Sequence, residues 1–254
     1  MEAIVTPRQM AAIDAAAAEP MAELIDRAGA AVARAAVDML GGSYGRRVVV
    51  LAGNGNNGAD GRAAASRRTA RGIRCTLVDA ASAVAVLPDA DLVIDAAYGT
   101  GLRSGFSAPT PARPQTPVLA VDIASGVDGV TGESRGAPLR ATRTVTFGAW
   151  KPGLVLGDGP RLSGQVSVAD IGLDVSGVDA HLVDDDAAGA WLPAPARDTH
   201  KWRAATWVVA GPPPMTGAAV LAAGAAQRDD HAVTDDEARG DSRVVIRSRN
   251  VAVP

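Results

Sequence analysis

Short apolar runs alternate with stretches of helical spacing along the first two thirds of the chain. The run 47–52 is apolar at every position after Arg47, which is typical of a strand buried in a parallel sheet. Five further runs predict strands: Cys75–Asp79, Asp91–Asp95, Pro117–Asp122, Thr142–Phe147 and Gly164–Val168. Because these strands alternate with helical stretches, the pattern predicts a doubly wound α/β sheet.

Three helices are predicted in the same region. Thr6, Pro7 and Gln9 mark a helix start, because threonine can cap, proline suits the first helical position and glutamine completes a capping box. A second helix should end at Gly41-Gly42, and a third should run from about Asp60 to Arg71. The second helix carries apolar residues at helical spacing: Met21, Leu24, Ile25, Ala28 and Val32.

The pattern changes after about Asp186. The proline-containing segment Leu192–Pro195 is interpreted as a linker, Trp207–Gly211 as a short strand and Gly217–Ala226 as the start of a helix. From about Asp229 the chain is rich in Asp and Arg and lacks apolar periodicity. This last part is therefore expected to be poorly ordered or an aberrant terminus.

Composition excludes several classes of function. The chain has 25 Lys and Arg against 28 Asp and Glu, a net charge of −3 that argues against a nucleic-acid partner. The single cysteine, Cys75, permits neither an intramolecular disulfide nor a cysteine-based zinc site. Neither a signal peptide nor an apolar run of membrane-spanning length is visible, so we expect a cytoplasmic protein without a membrane partner.

The glycine-rich loop 53–61 follows the first strand and leads into a helix. Gly53–Gly58 matches G-x-G-x-x-G, and Asp79 lies 21 residues past its last glycine, where a ribose-binding acid would sit in a dehydrogenase. This pattern predicts a dinucleotide site, and a glycine-rich turn without a ligand is the alternative. The amides of Asn56 and Asn57 suit oxygen coordination or recognition of a carboxamide better than a pyrophosphate.

Two other predicted strands end in an aspartate followed by a glycine-containing turn, at Asp95 and at Asp122. An aspartate satisfied by backbone N–H groups is the alternative for either one alone. Ligands of doubly wound sheets bind at the carboxyl ends of the strands, so Asn57, Asp95 and Asp122 should meet in one crevice. For all three together a functional role is favoured, because such groups are costly to desolvate.

Four segments in this order resemble the YjeF N-terminal domain family, whose activity is NAD(P)HX epimerase: GNGNNGADG (53–61), DAAYGTGL (95–102), VDIASGVDG (121–129) and TVTFGAWKPGL (144–154). The resemblance covers about residues 5–175, including the opening TPRQMAAID and LIDRAGAAVA. It implies a Rossmann-like three-layer α/β/α sandwich with a mostly parallel sheet, a bound K+ ion and a homodimer. It also implies a metabolite-repair isomerase that interconverts the R and S forms of hydrated NADH and NADPH.

The resemblance assigns roles to individual residues. Asn57, Asp95 and Ser125 would be the potassium ligands, and Asp122 would be the catalytic acid/base. Lys151 matches the fourth segment, where a role near the site and a cation at the edge of the core are the two alternatives. The implied substrate contacts are Asn56, Asn57, Gly58, Ala59, Asp60, Gly99, Thr100, Gly101, Leu102, Arg103, Ser104, Gly105 and Asp122.

The sequence departs from the family pattern at two positions, with Ala59 in place of glycine and Ala124 in place of proline. If position 59 requires a positive φ, its methyl group costs about 1 kcal/mol or more.

The implied reaction fits the residues. NAD(P)HX bears a hydroxyl at C6 beside the ring nitrogen, and its configuration can be inverted by loss and re-addition of water through an iminium or by ring opening. Either route needs a general acid/base. An NAD(P)-dependent oxidoreductase and a non-catalytic binding module of the same fold are the rival interpretations.

The segment after the linker resembles the opening of the ribokinase-like NAD(P)HX dehydratase domain. The similar residues are His200–Trp202, Trp207–Gly211 and Met215–Ala219. We therefore expect an epimerase domain in 1–186, a linker and truncated start of a dehydratase domain in 187–228, and a tail in 229–254. No dehydratase activity is expected from such an incomplete C-terminal segment.

Overall fold

The computed structural model describes residues 2–69, 72–82, 84–102 and 104–191, together with Gly217 and Leu221. In chain order the elements are β1 (Glu2–Ala3), α1 (Pro7–Ala16), α2 (Met21–Leu40), β2 (Arg47–Ala52), α3 (Asn56–Thr69), β3 (Arg74–Asp79), β4 (Leu92–Ala96), β5 (Phe106–Ser107), β6 (Val118–Val121), β7 (Gly136–Ala137), β8 (Arg143–Phe147), α4 (Pro152–Val155), α5 (Gly159–Ser163), β9 (Gln165–Ala169), β10 (His181–Leu182) and α6 (Asp185–Trp191).

A six-stranded parallel sheet forms the centre of the molecule. Its strand order is β3-β2-β4-β6-β8-β9, and all five strand pairs are parallel. This confirms the predicted doubly wound α/β sheet and all six predicted strands. Two small sheets, β1-β10 and β5-β7, pair segments that lie far apart in sequence. Strands of two residues carry too little periodicity to be predicted locally.

The two faces of the sheet are covered differently. Val48 and Val50 face a core that contains buried side chains of α1, α2 and α3. Val49 and Leu51 point to the opposite face, where Leu87 from a loop and Phe106 from β5 belong to the same buried cluster. A third buried cluster contains Ala120 of β6 together with side chains from α4 and α5. Because side chains alternate along a strand, a run that is apolar throughout has both faces buried.

The predicted helix ends of α1 and α2 are confirmed. The backbone N–H of Gln9 donates to Thr6 Oγ1 at 3.3 Å, and Gln9 Oε1 accepts from the backbone N–H of Thr6 at 2.9 Å. This is the reciprocal capping box. Helix α2 ends at Leu40, and Gly41 follows with φ +63°, a conformation that glycine adopts without a Cβ penalty.

The predicted start of the third helix was wrong, because the helix begins at Asn56, four residues before Asp60. The helix is described as far as Thr69, and the predicted end at Arg71 lies outside the described residues. A Cβ on Gly58 would run into the carbonyl oxygen of Gly53, so the glycine lets the first turn of α3 fold back on the loop. Ala59 lies inside this helix and is not among the residues with positive φ. Its methyl group therefore carries no strain of the left-handed kind.

The chain divides into two units, Met1–Ala187 and Ala188–Pro254, and the sheet belongs to the first. The predicted linker, the strand 207–211 and the tail 229–254 lie outside the described residues, as does most of the helix predicted at 217–226. Among the described residues, no helix combines the length and apolar character that a membrane span requires.

Candidate active site

A cavity of about 420 Å³ opens beside the carboxyl ends of β2 and β4. The strand order changes direction there, since β2 is followed along the chain by β3 on one side and β4 on the other. The loops that leave the two strands diverge at such a switch point and leave a crevice. Of the predicted site residues, the cavity is lined by Asn56, Asn57, Asp60, Gly99, Thr100, Gly101, Leu102 and Asp122.

Asp122 directly follows β6 in a strained backbone conformation. Its φ of +68° makes it the one described non-glycine residue with positive φ. Aspartate tolerates this region better than most side chains, and such strain is often found at functional positions. The backbone N–H of Asp122 donates to the carbonyl of Val145 at 2.7 Å, which fixes the turn against β8.

One oxygen of the Asp122 carboxylate interacts with two protein side chains. Lys151 Nζ lies 2.6 Å from Asp122 Oδ1, and Thr146 Oγ1 donates to the same oxygen at 3.0 Å. Lys151 is only 1% exposed and also donates to Thr146 Oγ1 at 2.8 Å and to the carbonyl of Phe147 at 3.0 Å. The buried ammonium thus has three oxygen partners, and Lys151 lies in the site rather than at a remote core edge.

The second oxygen, Asp122 Oδ2, faces Gly99 on the neighbouring loop. A Cβ built on Gly99 would lie 3.4 Å from Asp122 Oδ2 and 3.5 Å from Cγ of Asn57. Gly99 therefore has both side chains beside it. A side chain at position 99 would fill the space that Asp122 and Asn57 both adjoin.

Asn57, in the first turn of α3, has a buried amide with no partner. The residue is nine-tenths buried, and within the described part of the chain neither Oδ1 nor Nδ2 makes a hydrogen bond. Unpaired buried amide groups are costly, at about 1–3 kcal/mol each. Since Asn57 also lines the cavity, its amide is available to a ligand.

Asp95 and Ser125 form a separate, fully buried pair. Ser125 donates its hydroxyl to Asp95 Oδ1 at 2.6 Å and its backbone N–H to Asp95 Oδ2 at 2.9 Å. The hydroxyl oxygen also accepts from the backbone N–H of Tyr98 at 2.9 Å. Burial raises the pKa of Asp95, although the hydrogen bonds from Ser125 act in the opposite direction. Neither side chain lines the cavity, and the pair ties the loop after β6 to the end of β4.

Two further carboxyl groups line the cavity. Asp60, in α3, is 7% exposed, and burial raises its pKa to about 8, with the neighbouring Asp122 and Asp14 adding to the rise. Asp14 comes from α1, and burial also raises its pKa, while Lys151 lowers it and Asp122 raises it. The sequence interpretation did not single out Asp14. Its spacing of one helical turn from Met10, which also lines the cavity, was the available signal.

An apolar wall completes the cavity and was also missed. It combines side chains from α1 and α2 with residues near β8 and β9: Met10, Met21, Leu24, Ile25, Ala28, Phe147, Ile171 and Leu173. These positions match ordinary core spacing, so nothing in the local sequence separates them from buried packing residues. The site therefore has one polar wall of loops and one apolar wall of helices.

Several predicted contacts do not line the cavity. Gly58, Ala59, Ser104 and Gly105 lie off its walls, and Arg103 lies outside the described residues. Asp79, the acid of the dehydrogenase interpretation, accepts from the backbone N–H of Ala81 at 2.9 Å and does not line the cavity. Within the described ranges no three His, Cys, Asp or Glu residues are grouped to hold a metal ion.

This chain is similar to known proteins along most of its length. Residues 21–83 and 77–153 match the model of the family described as YjeF-related protein N-terminus. An NAD(P)H-hydrate epimerase of Leuconostoc mesenteroides is 36% identical over 68% of this chain and 92% of its own length. A bifunctional NAD(P)H-hydrate repair enzyme of Salinibacter ruber is 33% identical over 82% of this chain and 49% of its own length.

A yeast protein of known crystal structure aligns with 65% of this chain and 87% of its own, at 19% identity and a TM-score of 0.49. The chain spans about half the length of the bifunctional relatives that it matches. The match to the family model and the identity to the shorter relative lead to one conclusion: the chain belongs to the family of YjeF-related protein N-termini.

Proposed function

We propose that this chain is an NAD(P)HX epimerase, which interconverts the R and S forms of hydrated NADH and NADPH. The observation that carries the proposal is the Asp122 carboxylate, whose Oδ1 is held by Lys151 and Thr146 while Oδ2 faces the cavity beside Gly99. A carboxylate fixed in this way can exchange a proton at a defined point. The relatives named as NAD(P)H-hydrate epimerase and NAD(P)H-hydrate repair enzyme support the same reaction.

Asp122 is the acid/base of the proposed reaction. In one direction its protonated form gives a proton to the leaving oxygen at C6 or to the ring nitrogen, and the carboxylate then takes a proton back from the group that re-forms the hydroxyl. Lys151 and Thr146 act on Oδ1, so the proton moves at Oδ2. The net reaction inverts one carbon and consumes nothing, which requires no redox group.

The two walls suit the two sides of a hydrated nicotinamide. The unpaired amide of Asn57 can hydrogen-bond a carboxamide or hydroxyl, and the glycines 99 and 101 leave room for a backbone approach. The apolar wall can pack against the carbon face of the ring. A cavity of about 420 Å³ accommodates the ring end of the dinucleotide, with the rest extending outward.

The residues that the family resemblance assigns to a potassium ion all carry oxygen donors. Asn57 Oδ1 is buried without a described partner, and the Asp95 carboxylate and the Ser125 hydroxyl, which are hydrogen-bonded to each other, are the other two donors. Hard cations prefer such oxygen ligands. These three residues would hold the ion, which when bound supplies positive charge that orients the loops and offsets repulsion among the carboxylates.

Chromatographic separation of R- and S-NADHX with and without the protein tests the proposal. We expect approach to equilibrium at a rate well above the spontaneous one. A rate equal to the protein-free background would contradict it, and hydride transfer to a substrate panel or an RNA gel shift would then point to the rival functions. Substitution of NADPHX for NADHX in the same assay gives the substrate preference.

Three further expectations remain predictions of the same proposal: a homodimer, a cytoplasmic location and no dehydratase activity. The last concerns residues 187–254, most of which lie outside the described ranges. Incubating S-NADHX with the protein and ADP or ATP, and measuring NADH, tests it directly.

A further inference from the structure

Among the described residues that line the cavity, carboxyl groups outnumber ammonium groups. Among the described lining residues, three carboxyl groups, Asp14, Asp60 and Asp122, face one ammonium group, that of Lys151. Lys151 is already bonded to Asp122 Oδ1. Asp14 and Asp60 have neither a hydrogen bond nor an ion pair to any side chain in the described part of the protein. We call these two residues the acidic wall.

An acidic wall without partners is unfavourable in the free protein. Both residues lose hydration on burial, and each is repelled by neighbouring carboxylates, as the raised pKa values of Asp14 and Asp60 reflect. The nine-tenths buried amide of Asn57 lines the same cavity and is also unpaired. Three polar side chains, Asp14 from α1 with Asn57 and Asp60 from α3, thus border the same cavity without a described protein partner.

The neighbours of Asp14 indicate what that occupant is. Met10 lies one turn earlier on α1, and Leu24, Phe147 and Leu173 complete the adjacent apolar wall. Thioether, aliphatic and phenyl groups are poor ligands for a hard metal cation. A flat, delocalised organic cation suits both walls, since its carbon face packs on apolar side chains and its charge attracts carboxylates.

We propose that the Asp14 carboxylate stabilises a positively charged form of the bound ring, so that epimerisation proceeds by loss of the C6 hydroxyl as water rather than by ring opening. This inference rests on the proposed function. In the step, the C6–O bond breaks with its electron pair leaving on oxygen, and the oxygen takes a proton to become water. The N1 lone pair forms the N1=C6 bond of the iminium.

The reverse step restores neutrality. A water molecule adds to C6 from the opposite face, gives up one proton and returns the electron pair of N1=C6 to nitrogen. Ring opening instead breaks N1–C6 and keeps the original oxygen on carbon as an aldehyde. The two routes therefore differ in charge and in the fate of the oxygen atom.

The experiment uses oxygen exchange together with one isosteric variant. S-NADHX is epimerised by the full chain in H₂¹⁸O, and the R product is analysed by mass spectrometry with correction for the protein-free reaction. We expect one solvent oxygen in each newly formed R molecule. Retention of the original oxygen in the product would overturn the inference while leaving the epimerase proposal intact.

Asp14→Asn removes the charge but keeps the shape. We expect kcat to fall at least about tenfold with KM changed less than about twofold, because a carboxylate near a developing cation acts mainly in the transition state. Asp38→Asn is the matched control, since Asp38 is exposed on α2, does not line the cavity and has the same charge change. Asp14→Glu should recover part of kcat.

Three results separate the outcomes. Equal kcat in Asp14→Asn and Asp38→Asn would overturn the inference. A kcat defect of Asp14→Asn that disappears at high potassium concentration would also overturn it, because the carboxylate would then serve a bound ion. A melting temperature of Asp14→Asn at or above that of the wild type is expected, because an unpaired half-buried charge is removed. Absence of epimerisation by the wild type would contradict the proposed function itself.

Discussion

Asp95 and Asp122 occupy matching places at the ends of the neighbouring strands β4 and β6, yet their surroundings differ. Both oxygens of Asp95 accept hydrogen bonds from Ser125, and the side chain is fully buried. Asp122 has one oxygen held by Lys151 and the other facing the cavity, with 16% of its side chain exposed. The same sequence pattern thus yields one saturated carboxylate that joins loops and one that can act on a ligand.

Substitution of Asp122 should give the largest effect on activity. Asp122→Asn keeps a residue that tolerates positive φ and an oxygen that accepts from Lys151 and Thr146. It removes the proton acceptor, so we expect kcat to fall about a thousandfold, or about 4 kcal/mol in activation free energy. The measurement is the rate of R/S interconversion.

Asp122→Ala should abolish turnover as well, but it also leaves the buried ammonium of Lys151 without its carboxylate partner, which is destabilising. The asparagine variant is therefore the cleaner test, with circular dichroism to show that the fold is retained. Near-normal epimerisation by Asp122→Asn would remove Asp122 as the catalyst.

Substitution of Asp95 should mainly affect stability. Asp95→Ala leaves the backbone N–H of Ser125 buried without its acceptor and leaves the hydroxyl only the carbonyl oxygen of Tyr98 at 3.0 Å, and we expect a loss of about 2–4 kcal/mol in the free energy of unfolding. Asp95→Asn, which keeps one acceptor, should lose less. Urea unfolding measures both variants. If Asp95→Ala unfolds like the wild type, the contrast between the two aspartates fails.

The sequence was sufficient for features that depend on near neighbours. Thr6 and Gln9 cap each other within one turn, Gly41 ends its helix, and the apolar run 47–52 needed no distant information. The start of α3 was misplaced because Asn56 and its neighbours look like a loop. Gly58 approaches the backbone of Gly53, five residues earlier, so closely that a Cβ would not fit, and the glycine-rich pattern alone does not predict this approach.

The sequence also predicted only part of the candidate site. The loops that carry Asn57 and Asp122 followed from the ends of parallel strands. Asp14 was missed because its place in the site depends on how α1 packs across the sheet. Lys151 is 29 positions beyond Asp122, and its contact arises because β8 lies next to β6. No local pattern encodes a pairing of that kind.

Asp60, like Asp122, lines the cavity, and it offers a test that does not depend on activity. Its pKa is raised to about 8 in the folded state, so the folded protein holds a proton that the unfolded chain loses above its ordinary pKa near 3.8. The stability contribution of this group is therefore present below about pH 4 and is lost as the pH rises towards 8. Asp60→Asn should flatten that decline.

At pH 8 we expect Asp60→Asn to be more stable than the wild type by at least about 2 kcal/mol, which corresponds to a rise of several degrees in melting temperature. The two proteins should converge as the pH falls below about 3.8, because Asp60 then becomes protonated in both states. Asp38→Asn again serves as the control, because Asp38 is exposed. Parallel pH profiles for Asp60→Asn and wild type would contradict the buried, unpaired assignment of Asp60.

Replacement of potassium should give the smallest effect, and it tests whether the unpaired amide of Asn57 serves an ion. At constant ionic strength, a change from K+ to tetramethylammonium should lower the epimerisation rate a few-fold and the melting temperature by a few degrees, since an ion that binds only the folded state stabilises it. Asn57→Leu removes the amide oxygen and should make both quantities insensitive to the exchange.

Because the melting temperature is measured without substrate, it separates ion binding from catalysis. If the wild type is indifferent to the cation in both measurements, the amide of Asn57 is left to the substrate alone, and the oxygens of Asp95 and Ser125 retain only the structural role that their mutual hydrogen bonds already explain.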